Sequence, residues 1–83
     1  MSHAISLRPK DKLLFIENLG TLLNSGIPIM KALQIILFQA KKPNIRKLSE
    51  FLISSIEAGE SFFRVAAKLP NVFSVFDVAI LEM

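Results

Sequence analysis

Apolar residues recur along this chain at three- and four-residue spacing, and no run alternates with period two. That pattern predicts helices and no sheet. Four prolines and three glycines cut it into segments. A first helix is predicted from Pro9 to Ser25, with proline at the first helical position, Asp11 in the positive first turn, and Phe15, Ile16, Leu19, Leu22 and Leu23 on one stripe. Glu17, Asn18, Thr21 and Asn24 fall away from the stripe, and Gly26 is predicted to end the helix in the left-handed conformation. Pro28 then opens a second helix, which makes a helical hairpin.

The second helix is predicted to bury Ile29, Met30, Ala32, Leu33, Ile36, Leu37 and Ala40, to end on Lys41 and Lys42, and to be stopped by Pro43. Ile35 and Phe38 break this pattern as an apolar pair on the polar side. Asn44 is the predicted cap of a third helix with the stripe Ile45, Leu48, Leu52 and Ile56, edged by Phe51 and closed by Gly59. A short fourth helix runs from Ser61 as cap to Leu69, burying Phe62, Val65, Ala66 and Leu69, until Pro70 stops it. Leu14 and Phe63 fall off their stripes. Ser74 to Asp77 has the form of a capping motif for a fifth helix. From Val75 to Met83 that helix is apolar nearly all round, so it requires cover from sequence past Met83 or from another subunit. The predicted fold is an all-α antiparallel bundle of four to five short helices, completed by missing sequence or by dimerisation. Residues 1–8 are predicted to be a linker or tag and 9–83 one domain, expected to be truncated at its C-terminal side.

Composition sharpens this picture. An 83-residue chain is near the lower limit for a single stable core, and without cysteine it has neither disulfides nor a thiolate metal site to help. Its apolar fraction of 52% and mean hydropathy of +0.50 are high for a small monomer and point to partners or missing neighbours. The densest apolar stretch, Ala32 to Phe38, contains Gln34 and lies between Lys31 and Lys41, far short of the roughly 20 residues of a membrane span. The N-terminus lacks the apolar region and cleavage site of a signal peptide.

Candidate chemistry is sparse. His3 is the single histidine and has no ligand companions at metal-site spacing. Glu57 and Glu60 around Gly59 read as hydrated helix-end carboxylates before they read as a cation site. Gly26 and Gly59 lack the Gly-Lys-Ser/Thr sequel of a phosphate loop. No catalytic constellation, cofactor or metal site is predicted. Lys41, Lys42, Arg46 and Lys47 form the candidate partner surface; Arg46 and Lys47 begin a helix, where a cation opposes the dipole by about 0.3–1 kcal/mol. An acidic protein face or an anionic leaflet would compensate. Ile35 and Phe38, with Phe76 and Ile80, are the candidate self-association residues. Helices two and three with an isoelectric point near 9.6 also suit a DNA-binding helix–turn–helix, but the net charge is only +3, and Glu50 and Glu57 interrupt the recognition face. A soluble adaptor is a third reading.

Order then adds what spacing alone does not. Phe15 to Leu33, with Gly26-Ile27-Pro28 at its centre, resembles the opening motif of the bacterial type II secretion protein F family, which type IV pilus platform proteins share. Gly59-Glu60-Ser61-Phe62 is similar to the family's Gly-x-Ser-apolar segment, and Pro70-Asn71-Val72-Phe73 to its Pro-x-x-Phe turn. Gly26, Pro28, Gly59, Ser61, Pro70 and Phe73 are thus the structural motif. Glu17-Asn18 and Gly20 depart from residues usual in relatives, and the Gly-Glu-x-x-Gly segment usual after the fifth helix is missing. The resemblance implies a cytoplasmic domain of an inner-membrane platform protein, non-enzymatic, that couples an assembly ATPase to pilin or pseudopilin movement and contacts other platform components. It also implies a homodimer or higher oligomer and no nucleic-acid partner.

Overall fold

The computed structural model describes residues 5–69 and 72–73. They form four helices, α1 (Pro9–Asn24), α2 (Ile29–Gln39), α3 (Pro43–Glu57) and α4 (Phe62–Ala67), and no strand among the described residues. The all-α architecture is as the periodicity predicts. Pro70 and the fifth-helix motif, including Phe76 and Ile80, lie outside the described residues, as does His3.

The helices pack chiefly on their neighbours in the chain. The short connections fold neighbours back on one another, so the start of α1, the end of α2 and the start of α3 meet at one end. The predicted stripes supply the core: Phe15, Ile16 and Leu19 from α1, Ala32, Leu33 and Ile36 from α2, Leu48 and Leu52 from α3, and Phe62, Val65 and Ala66 from α4. Leu69, Val72 and Phe73 close it. Phe73 stands between Phe15 and Phe62, with ring centroids 5.9 Å from each, and Phe62 meets Phe63 edge-on at 5.2 Å. Tilted and edge-to-face rings are a favourable arrangement of the aromatic quadrupole. The residue off the stripe, Phe63, is therefore partly buried against a core ring.

Both glycine stops are Schellman caps. Gly26 has φ +88° and Gly59 φ +102°. After α1, Gly26 N–H donates to Leu23 O at 3.0 Å and Ile27 N–H to Leu22 O at 3.1 Å. After α3, Gly59 N–H donates to Ile56 O at 3.0 Å and Glu60 N–H to Ser55 O at 3.1 Å. Each pair satisfies carbonyls that a helix end leaves bare. Ser61 caps α4 as predicted, its Oγ accepting from Arg64 N–H at 3.2 Å.

Four details of the sequence-based elements are corrected. Pro28 precedes α2 as its N-cap and is not its first residue, because ψ is 149° and the chain is still extended there. α2 ends at Gln39, before Lys41 and Lys42, since Ala40 is already extended and Lys42 is held extended by the proline ring that follows it. Asn44 lies inside α3; Lys42 takes the N-cap position and Pro43 the first turn, with no side-chain cap. α4 stops at Ala67, and Lys68 and Leu69 continue with tighter bonds to Val65 and Ala66 carbonyls.

One buried polar residue interrupts α3. Ser49 has no exposed surface, and its hydroxyl donates back to Ile45 O at 2.9 Å, which removes the penalty of an unpaired group.

Candidate functional site

The four cations of the candidate partner surface come together where α2 turns into α3, and the structure assigns them two roles. Arg46 Nη1 donates to Leu37 O at 3.1 Å and to Ala40 O at 3.2 Å. It therefore caps the C-terminal carbonyls of α2. The electrostatic conflict predicted for a cation at the start of α3 is offset within the fold, because the same guanidinium sits against the negative end of the neighbouring helix. No external acid is required. Lys42 Nζ lies 2.7 Å from Asp11 Oδ1, linking the first turn of α1 to the cap of α3. Asp11 is only 13% exposed at its side chain, whereas Lys42 is 63% exposed. Lys41 and Lys47 are exposed.

This division has a measurable consequence. Arg46→Ala is expected to lower unfolding free energy by about 1 kcal/mol in urea denaturation, through lost charge-assisted bonds to α2. Lys47→Ala, which removes only an exposed charge, is expected to change it by less than about 0.5 kcal/mol. Equal effects would remove the capping role.

Arg8 and Asp11 line one recess with Lys42, Pro43 and Asn44. A narrower apolar recess beside it is lined by Leu14, Phe15, Ile36 and Ile45, with Asp11, Asn18 and Lys42 on its polar edge. Leu14, 49% exposed, is thus the outer wall of a groove between helices. The candidate self-association pair divides: Ile35 is partly buried, and Phe38 is 90% exposed on the last turn of α2. Leu13 is the other large exposed apolar side chain among the described residues.

Elsewhere the surface carries little chemistry. Glu60 accepts from Lys68 Nζ at 2.8 Å, so it braces α4. No group of three His, Cys, Asp or Glu able to hold a metal occurs among the described residues. No helix there is long and apolar enough to cross a membrane. The Asp11–Lys42 link and the Arg46 cap escape a residue-by-residue reading because both depend on how helices meet. Their only sequence signal is an acid in one first turn and cations beside another.

A Gly-x-Pro helical hairpin, a second glycine stop leading to a Ser-capped turn, and an aromatic closure at Phe73 together define a small helical domain with recurrent punctuation. The chain belongs to the family described as type II secretion system, protein F, which matches residues 15–83. Two curated relatives are similar over most of the chain, and both are named type IV pilus assembly protein PilC. The Myxococcus xanthus protein is 30% identical over 64 residues, covering 77% of this chain and 15% of the relative. The Pseudomonas aeruginosa protein is 28% identical over 67 residues, covering 81% of this chain and 18% of the relative. The chain thus spans less than one fifth of the length of either relative. No solved structure matches it.

Proposed function

We propose that the chain is a cytoplasmic domain of an inner-membrane platform protein of a type II secretion or type IV pilus system. It is a non-catalytic interaction module that couples the assembly ATPase to movement of pilin or pseudopilin subunits. The observation that supports this is the family match from residue 15 to 83, which includes the helical core and both glycine stops. The chemistry of the surface is consistent with it. α3 turns Arg46, Lys47, Glu50, Ser54 and Glu57 outward, a face that belongs in water and not in hydrocarbon. The described residues offer rigid helix faces and no reactive constellation.

Two measurements test the parts of this reading separately. The purified chain is expected to change the turnover of its host's assembly ATPase in a saturable way; unchanged turnover at saturating chain rejects coupling. Ser54→Cys, at an exposed position of α3, provides the label site in a parent protein kept otherwise free of cysteine. In cells it is expected to react with a membrane-impermeant maleimide only after the inner membrane is opened. Labelling of intact spheroplasts rejects the cytoplasmic placement.

A further inference from the structure

We infer that the end of the molecule formed by the start of α1, the end of α2 and the start of α3 docks on anionic phospholipid headgroups, with Phe38 entering the membrane interface beside them. Seven of the ten basic residues lie in residues 8–12 and 41–47, where Asp11 is the one acidic residue. The remainder of the chain holds three basic and six acidic residues, so a net charge of +3 conceals a strongly polarised molecule. The fold gathers these two stretches at one end through the Lys42–Asp11 contact, the Arg46 bonds to α2 and the recess that Arg8 shares with Lys42. Arg8, Lys10, Lys41, Lys42 and Lys47 are all exposed there.

Three features favour a lipid surface over an acidic protein. Four of those five exposed cations are lysines, point charges suited to a diffuse field of phosphates, while Arg46, whose planar fork suits paired carboxylates, is engaged within the fold. Phe38 sits on the last turn of α2, at this same end, and is 90% exposed. Phe38 offers about 150–250 Å² of surface, and with the half-exposed Leu13 and Leu14 of α1 the apolar part of this end still falls below the roughly 800 Å² per partner of a stable protein interface. An aromatic ring flanked by basic residues is instead the usual composition of a surface that lies in the headgroup layer.

The placement of this end beside a membrane in the cell rests on the proposed function. Vesicle binding by the isolated chain does not, and it uses no ATPase, so the two readings fail separately. The 83-residue chain is sedimented with phosphatidylcholine vesicles and with vesicles containing 30% phosphatidylglycerol. Binding is expected only to the anionic vesicles and is expected to fall at least about tenfold as sodium chloride rises from about 50 to 300 mM. Lys41→Ala with Lys47→Ala should weaken it about 25-fold, or about fivefold for each charge. Phe38→Ala should weaken it severalfold and leave a remainder that salt abolishes. Circular dichroism is expected to be unchanged in each variant. Equal binding to both vesicles, or full binding by the double lysine variant, overturns the inference. So does the rival outcome in which Phe38→Glu lowers self-association in analytical ultracentrifugation with vesicle binding intact.

Discussion

Phe73→Ala is expected to cost the chain a large part of its folding stability. Phe73 is 2% exposed and is the ring that joins Phe15 of α1 to Phe62 of α4, two helices whose main packing is on other partners. Its backbone is fixed by a turn in which Val72 and Phe73 N–H both donate to Leu69 O, so the ring cannot be replaced by a neighbour sliding inward. Truncating a buried phenylalanine costs about 3–5 kcal/mol. A chain of this length has total stability on the order of 4–12 kcal/mol. In urea, with an m-value of about 1–1.5 kcal/mol/M, the midpoint should fall by about 2–5 M. Phe73→Leu, which keeps most of the volume, should recover more than half of that loss. A midpoint within about 0.5 M of the parent would show that the cluster at the end of the chain is dispensable.

The two glycine stops should fail for a purely conformational reason. A Cβ built on Gly26 or Gly59 meets nothing within 4 Å, so space is not the obstacle. The positive φ is the obstacle. An L-residue held there costs about 1–2 kcal/mol, so Gly26→Ala and Gly59→Ala should each lower the melting temperature by about 5–15 °C. The two turns share no hydrogen bond, so the double variant should lose about the sum. Asparagine tolerates the left-handed region, so Gly26→Asn and Gly59→Asn should be milder. If asparagine proves as damaging as alanine, crowding rather than backbone conformation governs these turns.

Much of the fold is legible in the residues themselves. Leu19, Leu33, Leu48 and Leu52 fall on the predicted stripes and have no exposed surface. Helical periodicity reports burial directly when one face of each helix meets the core. Gly26 and Gly59 were equally readable, since a glycine after the last apolar turn has few other uses. Where the sequence misleads, the missing quantity is a dihedral angle or an interhelical distance. Pro28 has φ −59°, which suits either a first helical residue or an extended cap, and only its ψ decides. Ser49 looks like a surface serine, yet the fold leaves it no exposed surface. Arg46 and Lys47 are adjacent cations of similar propensity. They differ because the packing of α2 on α3 places the Leu37 and Ala40 carbonyls within reach of Arg46.

The sequential packing of these helices has a kinetic consequence. Because α1 meets α2, α2 meets α3 and α3 meets α4, most of the core is made by segments that are close in the chain. Such topologies close short loops and fold on the microsecond-to-millisecond scale, far faster than a ribosome adds residues at about 5–20 per second. The α1–α2 hairpin can therefore form as soon as its two helices leave the exit tunnel, and each later helix has a surface waiting for it. Most apolar faces that would otherwise invite aggregation are then covered by the next helix, while the Phe15 ring waits for Phe73 to close it.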